Sequence, residues 1–266
     1  MPKTTLAFDL YGTILSTSSI STSLSSVLSL PGPKAEELAA LWRRYQLEYT
    51  WRSNSMGRYV NFDTITRSSL RHVVHGIEPN QVESIMSAYD NLSCFPEIPD
   101  ALAMMAENSN LVDAYVFSNG TEAMISASVN KSPDLWSFSS VFRGLISVDR
   151  LQRYKPDPKV YEYLVQQTSR EDGGEVWLVS GNPFDVLGAK AAGLKAAWVD
   201  REGRGWADQL GSGMGVNGPD LVVRGVDEGV EKIIARAGGG GLYPVSVSVS
   251  FQAFSLPPAS PALVVA

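Results

Sequence analysis

The sequence predicts an α/β fold in which helices cover both faces of a doubly wound, mainly parallel sheet. Two patterns support this prediction. From residue 96 onward, short apolar runs alternate with helical stretches, which is typical of strand–helix–strand units. Between residues 16 and 95, helical patterns follow one another with no strand pattern between them. We therefore expect a helical segment inserted after the first strand.

The composition narrows the classes of function. The chain has 266 residues, of which 44% are hydrophobic and 19% are charged, and its net charge is −6. It shows no basic cluster of the kind that binds nucleic acids and no apolar run near the ~20 residues that span a bilayer. The first strand begins too early for a signal peptide, so we expect a cytoplasmic protein. A single cysteine, Cys94, excludes an internal disulfide and a cysteine-based metal site.

The first predicted strand ends at an acidic residue. Residues 6–13 form an apolar run that places Asp9 just before a turn containing Gly12. In open α/β sheets, ligands bind at the carboxyl ends of the strands, so Asp9 is a candidate catalytic residue. The simpler interpretation is that Asp9 only initiates the turn, as Asp often does.

The inserted segment begins with a stretch rich in Ser and Thr. Residues 16–29 predict a hinge followed by a weak helix. Residues 34–51 predict a long helix, and further helices are predicted near residues 62–75 and 79–92. Apolar and aromatic residues recur at three- and four-residue spacing in the long helix: Leu38, Leu41, Trp42, Tyr45 and Tyr49.

Alternating helices and strands complete the predicted sheet. Thr121 and Pro158 mark two helix starts, since Thr caps helix N-termini and Pro favours the first helical turn. Gly193 marks the end of another helix. Helices are predicted at residues 99–108, after Thr121, at 157–167 and at 183–192; strands are predicted at 113–118, 142–147, 175–180, 196–199 and 221–223.

The C-terminal residues differ in character. Four consecutive glycines at 238–241 predict a flexible linker. Residues 242–266 alternate Val and Ser and then become rich in proline, so disorder is favoured over an added strand. The predicted domains are a discontinuous α/β core of residues 1–15 and 96–237, a helical cap of residues 16–95, and a flexible tail of residues 238–266.

Polar side chains follow four of the predicted strands. They are Asp9; Ser118 and Asn119; Lys155; and Ser180 and Asn182 with Asp185. In a doubly wound sheet these strand ends converge on one crevice. Each cluster alone has a plainer explanation as a turn or a helix start. Their joint placement favours a catalytic site.

These motifs resemble those of the haloacid dehalogenase superfamily. The matching segments are Asp9-x-Tyr11-Gly12-Thr13, Ser118-Asn119-Gly120, Lys155-Pro156-Asp157-Pro158 with Tyr161, and Ser180-Gly181-Asn182-x-x-Asp185. The helical segment is similar to the cap of the L-2-haloacid dehalogenase branch over residues 41–51 and 56–62. The resemblance covers residues 6–202 and extends more faintly to residue 237. It implies a Rossmann-like core with an inserted helical cap.

The resemblance implies hydrolytic dehalogenation of short (S)-2-haloacids to (R)-2-hydroxyacids. Asp9 is then the nucleophile that forms a covalent ester, and Lys155 favours its charged form. Asp185 is the candidate that orients or deprotonates the hydrolytic water. The residues expected to position these carboxylates and the water are Thr13, Ser180 and Asn182.

The resemblance also implies a substrate pocket. Ser118 and Asn119, with nearby backbone N–H groups, would bind the substrate carboxylate, and Arg43 in the cap would receive the halide. Tyr161 matches an active-site tyrosine of the family. The implied partners are the small haloacid and water, with no cofactor, and the resemblance is compatible with a homodimer. The residues expected to form the apolar wall are Tyr11, Leu47, Phe62 and Phe184.

Two positions separate this branch from the phosphatases of the superfamily. Those phosphatases have an aspartate two residues after the nucleophile, which protonates the leaving alkoxide, whereas this chain has Tyr11. A halide leaves as a weak base and needs no proton. The phosphatases also carry an acidic metal ligand where Gly181 stands, and Mg²⁺ usually requires one or two carboxylates. We therefore expect a metal-free site.

Two alternatives to a dehalogenase remain from the sequence. One is a Mg²⁺-dependent phosphatase acting on a small phosphate ester, and the other is a non-catalytic protein that binds small carboxylates. The two positions above disfavour the first, and the complete set of two carboxylates and a lysine disfavours the second. Arg44, Phe184 and Gly181 replace residues common in the branch (Gln, Trp and Ser), which affects the expected substrate range and rate more than the reaction class.

Overall fold

In residues 2–168 and 173–239, which the computed structural model describes, six parallel strands form one sheet. The strands are β1 (Thr4–Phe8), β2 (Val112–Ser118), β3 (Phe142–Ser147), β4 (Val176–Ser180), β5 (Lys195–Val199) and β6 (Leu221–Val223). Their order across the sheet is β3-β2-β1-β4-β5-β6. The predicted α/β class and the parallel sheet are confirmed.

The two central strands explain why the sheet can be parallel. β1 is buried at every position, and β4 is buried at all but its first. Strands that are covered on both faces read as continuous apolar runs, as these do in the sequence. β1 lies between β2 and β4, so the strand order reverses beside it. A crevice for ligands opens at such a reversal, outside the carboxyl ends of the strands.

Helices flank the sheet and fill the insertion after β1. Thr121 caps one of them with its side chain, which accepts a hydrogen bond from the N–H of Met124 at 3.2 Å, as predicted. The helices are α1 (Ser21–Leu28), α2 (Gly32–Met56), α3 (Phe62–Val73), α4 (Pro79–Tyr89), α5 (Ile98–Glu107), α6 (Glu122–Asn130), α7 (Pro158–Thr168), α8 (Pro183–Ala191), α9 (Leu210–Met214) and α10 (Val226–Ala237).

The insertion between β1 and β2 is helical, as the sequence predicts. A 3-10 helix (Thr17–Ile20) and α1 occupy the serine-rich stretch, where burial of Ile20 and Leu24 fixes them against the remainder of the insertion. The two chain segments that join the insertion to the sheet lie side by side. Leu15 and Cys94 form an antiparallel bridge, and the N–H of Phe95 donates to the carbonyl of Ile14 at 3.1 Å.

Helix α2 extends beyond its predicted end at residue 51. It continues through a polar segment to Met56 and stops at Gly57, which adopts a left-handed conformation with φ of 60°. Its buried face also differs from the one that the aromatic spacing indicates, since Leu41 is 41% exposed. The residues of α2 that are buried are Ala35, Ala39, Trp42, Gln46, Thr50 and Ser53.

Two helices follow β5 that the sequence patterns did not predict. One is the short α9, and the other is α10, which buries Val226, Val230 and Ile233 at helical spacing and packs against α5. Within the described ranges, no helix is both long enough and apolar enough to cross a bilayer. The predicted tail lies outside the described residues from position 240 onward, and the division of the chain into domains stays a prediction.

Gly188 in α8 allows Tyr161 of α7 to pack closely against that helix. A Cβ atom on Gly188 would lie 2.4 Å from the Tyr161 hydroxyl oxygen and 2.7 Å from two ring carbons. We expect Gly188→Ala to lower the free energy of unfolding by about 1–3 kcal/mol, the usual effect of overpacking a core. Urea unfolding followed by far-UV circular dichroism measures this change.

Gly213→Ala is the matched control. Gly213 also lies in a helix, but a Cβ atom there meets no other atom within 4 Å. Because alanine is the better helix former by about 1 kcal/mol, this control should be neutral or stabilising. Equal effects of the two substitutions would contradict the packing argument.

Candidate active site

Asp9 lies at the carboxyl end of β1, and hydrogen bonds hold both of its carboxylate oxygens. Oδ2 accepts from Thr13 Oγ1 at 2.9 Å and from Asn182 Nδ2 at 2.6 Å. Oδ1 is 3.2 Å from the ammonium nitrogen of Lys155. Asp9 is 7% exposed, so little water competes for these bonds. Oδ2 is tied by two short bonds, which leaves Oδ1 as the oxygen with more freedom to react.

The Lys155 ammonium group lies between two buried carboxylates. Besides Asp9, it donates to Asp185 Oδ2 at 2.7 Å and to the backbone carbonyl of Phe117 at 2.7 Å. Its three N–H groups thus have three acceptors, and the charge also lies 4.0 Å from the centre of the Phe117 ring. Two carboxylates face one ammonium group, so this cluster carries one uncompensated negative charge.

Asp185 is fully buried in the first turn of α8. Burial is the main cause that raises the pKa of its carboxyl to about 6; the Lys155 charge opposes this shift, and the neighbouring Asp9 charge adds to it. The Tyr161 hydroxyl donates to Asp185 Oδ1 at 2.8 Å and stabilises the ionised form. Burial holds the pKa of Tyr161 well above its ordinary value, so this tyrosine stays a proton donor. Asp185 is therefore a buried base poised near neutral pH.

The loops after β1 and β4 are in direct contact. The N–H of Gly181 donates to Thr13 Oγ1 at 2.9 Å, and a Cβ atom at position 181 would lie 2.5 Å from the carbonyl oxygen of Gly12. Gly12 itself has φ of 90°, a conformation that favours glycine. Ser180 acts within its own turn, where its hydroxyl accepts from the N–H of Asn182 at 3.0 Å. It supports Asn182 through the backbone and has no direct bond to Asp9.

Ser118 is the last residue of β2 and Asn119 follows it, and both are buried. Ser118 Oγ accepts from the N–H of Gly120 at 3.1 Å. Asn119 Oδ1 accepts from the backbone N–H of Lys155 at 3.0 Å, so it fixes the segment that carries the lysine. The structure therefore places both residues beside the Asp9 cluster, with Asn119 bound to the protein through its side-chain oxygen.

Arg43 reaches the cluster from helix α2 of the insertion. Its Nη2 donates to the carbonyl of Tyr11 at 3.0 Å, and its Nη1 donates to Gln46 Oε1 at 2.7 Å. The same Tyr11 carbonyl accepts from Asn182 Nδ2 at 3.1 Å. The Tyr11 carbonyl thus binds both Arg43 and Asn182, and Asn182 also donates to Asp9.

Aromatic rings cover one side of the cluster. The Tyr11 ring stacks on Phe62 with 5.8 Å between ring centres and lies 5.4 Å from the Tyr89 ring. Phe184 lies outside this stack and packs edge-on against Trp51, with 5.5 Å between ring centres. Leu47 is half-buried on α2, next to Gln46. The structure therefore joins Tyr11 and Phe62, whereas Phe184, in the first turn of α8, packs against Trp51 of the insertion and not in this stack.

Several residues of this region were missed by the sequence patterns. Gln46 and Tyr89 are buried and hydrogen-bonded to each other, and Arg201 donates to the carbonyl of Thr13 at 2.7 Å. Gln46 carries one detectable signal, because it is a polar residue four positions after Trp42 on a helix. Among the described residues, no three His, Cys, Asp or Glu side chains are grouped as metal ligands.

Known proteins that resemble this chain in sequence and structure include haloacid dehalogenases. The model of the haloacid dehalogenase-like hydrolases matches residues 3–193. The (S)-2-haloacid dehalogenase of Pseudomonas sp. strain YL is 35% identical over 202 residues, which cover 74% of this chain and 83% of that protein. Haloacetate dehalogenase H-2 of Moraxella sp. strain B is 32% identical over 210 residues, which cover 77% and 89% of the two chains.

A solved structure shows the same likeness in three dimensions. The L-2-haloacid dehalogenase of Xanthobacter autotrophicus with covalently bound chloropropionic acid superposes with a TM-score of 0.72. The two sequences are 26% identical, and the match covers 87% of this chain and 98% of the other.

Removing the Lys155 charge tests the electrostatics of the cluster. We expect Lys155→Met to lower the free energy of unfolding by about 3–5 kcal/mol, because it leaves two buried carboxylates without their cation. Loss of Lys155 raises the pKa of Asp185 further, so the folded state binds a proton more readily than the unfolded chain. The loss should therefore be largest above pH 7 and shrink as the pH falls and Asp185 becomes protonated. Urea unfolding at pH 5 and pH 8 measures both effects.

Lys190→Met is the control for loss of a lysine charge. Lys190 pairs with Asp220 at 2.7 Å, but both side chains are partly exposed. The expected change is about 1 kcal/mol with little dependence on pH over this range. A Lys155 effect no larger than the Lys190 effect would contradict the buried-cluster argument.

Proposed function

The chain belongs to the haloacid dehalogenase-like hydrolases, and we propose that it hydrolyses the carbon–halogen bond of short (S)-2-haloacids to give (R)-2-hydroxyacids. The observation that carries the proposal is the geometry of Asp9, whose Oδ2 is tied by two hydrogen bonds while Oδ1 faces only the Lys155 ammonium. The reactions named for the relatives and the covalent chloropropionic acid in the Xanthobacter enzyme support the same chemistry.

In the first step, Asp9 Oδ1 attacks the carbon that bears the halogen. A carbon–oxygen bond forms, the carbon–halogen bond breaks, and the halide departs with the bonding electron pair, which inverts the carbon centre. A halide needs no proton to leave, which suits the presence of Tyr11 where a phosphatase has an acid. Arg43, the cation that the insertion brings to the carbonyl of Tyr11, would stabilise the departing anion.

In the second step, water hydrolyses the ester on Asp9. The water oxygen bonds to the Asp9 carboxyl carbon while one of its protons passes to Asp185. The bond between the Asp9 carboxyl carbon and the substrate oxygen then breaks, and the departing alkoxide takes the proton from Asp185 to give the 2-hydroxyacid. The Asp9 carboxylic acid releases the remaining water proton to solvent and returns as a carboxylate. One proton and one halide ion are released per turnover. Asp185 suits this role because it is ionised above about pH 6 and is held in place by Lys155 and Tyr161.

The substrate carboxylate would bind at the end of β2. Ser118 Oγ already accepts from the N–H of Gly120, so its own O–H group can donate to an incoming carboxylate. The Tyr11–Phe62 stack supplies an apolar surface for the short carbon chain.

We propose that the reaction is independent of a metal ion. The Lys155 ammonium lies between Asp9 and Asp185 and supplies the positive charge to both carboxylates. Position 181, where phosphatases of the superfamily carry an acidic ligand, has no room for a Cβ atom against the carbonyl of Gly12. Both features favour a dehalogenase over a Mg²⁺-dependent phosphatase.

Halide release tests the proposed function. We expect the wild-type protein to release chloride from (S)-2-chloropropionate and bromide from bromoacetate. For each substrate, the rate should be the same with and without EDTA. Asp9→Asn should lower this rate on the order of 10⁴-fold or more, as loss of a covalent nucleophile does elsewhere. Ion chromatography measures the halide.

The same assay serves for a control variant and for two results that would contradict the proposed function. Asp63→Asn, which removes a surface carboxylate paired with Arg67, should leave the rate unchanged. Phosphate release from small phosphate esters that requires Mg²⁺ would overturn the proposal in favour of a phosphatase. Binding of short carboxylates without any halide release would favour the non-catalytic alternative.

The pH dependence of turnover tests the role of Asp185. Turnover should fall as the pH is lowered through about 6, because the protonated carboxyl cannot accept a proton from water. The Tyr161 hydroxyl stabilises the ionised form, so Tyr161→Phe should raise the pKa of Asp185 and move the acid limb of the kcat profile to higher pH. Tyr163→Phe, two residues along α7, is the control and should leave the limb in place. An acid limb that stays fixed in Tyr161→Phe would contradict the assignment.

A further inference from the structure

Gln46 is a buried polar side chain that neither the motifs nor the reaction steps above use. It lies on α2, three residues after Arg43, and is 1% exposed. Its Oε1 accepts from Arg43 Nη1 at 2.7 Å and lies 3.2 Å from the Tyr89 hydroxyl. Its Nε2 donates to Thr66 Oγ1 at 2.8 Å. Both ends of the amide are therefore bonded, and one of them holds Arg43.

The amide is anchored to helices other than its own. Thr66 Oγ1 donates in turn to the carbonyl of Phe62 at 2.7 Å, which connects the Gln46 amide to α3 and to the ring that stacks on Tyr11. Tyr89, at the end of α4, is buried, and its ring also lies 5.4 Å from that of Tyr11. Three helices of the insertion thus fix the orientation of one amide.

The hydrogen-bond acceptors of Arg43 include Gln46 Oε1 and the carbonyl of Tyr11. A guanidinium carries five N–H groups, so donors remain for an anion. Neither of these acceptors is charged, and within the part of the chain that the structure describes no carboxylate forms an ion pair with Arg43. A glutamate at position 46 would place a carboxylate 2.7 Å from that cation and compensate its charge.

We propose that Gln46 is a positioning residue that holds the Arg43 guanidinium toward the departing halide and, being uncharged, leaves its positive charge available to that anion. The expected effect on the rate of halide release rests on the proposed dehalogenase function. The expected effect on bromide binding does not require turnover. The plainer interpretation is that Gln46 only satisfies polar groups in the core of the insertion. The two interpretations predict different effects of the leaving halide on the rate of the variants.

The experiment compares Gln46→Met, Gln46→Glu and wild type. Gln46→Met keeps the length of the side chain and removes its acceptor. Rates of halide release from (S)-2-chloropropionate and (S)-2-bromopropionate are measured at pH 8, and bromide binding to each protein is measured by titration calorimetry with sodium bromide. The matched control is Thr50→Val, which removes a buried hydroxyl one turn along α2 whose bond goes only to the carbonyl of Leu47.

The positioning role predicts an unequal loss. Chloride is the poorer leaving group and needs more stabilisation, so Gln46→Met should slow chloride release about tenfold or more and bromide release by several-fold less. Bromide binding should weaken about tenfold, the effect of losing one hydrogen bond to a charged group. Gln46→Glu should weaken bromide binding at least as much, because its carboxylate compensates Arg43. Thr50→Val should leave the chloride-to-bromide rate ratio and bromide binding as in wild type.

Each outcome decides a separate point. Equal losses on both substrates with unchanged bromide binding would mean that Gln46 is only structural, and unchanged rates and binding in Gln46→Met would overturn the inference outright. Absence of halide release from wild type would overturn the proposed function. In that case, bromide binding that depends on Gln46 would still support the positioning of Arg43, and binding that does not depend on it would overturn that as well.

Discussion

The ammonium group of Lys155 is the point on which the organisation of this protein depends. Asp9 and Asp185 are buried at the ends of different strands, and like charges this far from water repel strongly unless a cation lies between them. Lys155 supplies that cation, and residues at the end of β2 hold it in place. Asn119 holds the backbone of Lys155, and the carbonyl of Phe117 accepts its third N–H group.

A buried ion cluster of this kind is poor evidence for stability by itself. Removing charges from water costs more free energy than a typical salt bridge returns, and apolar replacements are often neutral or stabilising. The arrangement is better understood through reactivity. It places one ammonium group between the two carboxylates, and burial raises the pKa of Asp185 toward neutrality, so two chemically identical groups have different environments in one site.

Most of the core was accessible from the sequence, because its signals are local. Each buried strand is a short apolar run, and the polar residues that follow it stand out by contrast, so Asp9, Lys155 and Asp185 could be assigned to one crevice from topology alone. The face of α2 could not be assigned in this way. Its aromatic residues suggest one stripe, whereas its contacts with α1 and α3 bury a stripe of small and polar residues that includes Gln46. Which face of a helix is buried depends on its partners, and the pattern of one segment does not contain them.

The contact between Gly12 and position 181 has a consequence for which substitutions this chain can accept. In this chain a Cβ atom at position 181 would lie 2.5 Å from the carbonyl oxygen of Gly12, in the loop after β1 that carries Asp9 and Tyr11. An acidic ligand therefore cannot be acquired in this chain by one mutation without displacing the neighbouring loop. A passage between phosphate and halide chemistry would require coupled changes in two loops that are far apart in sequence.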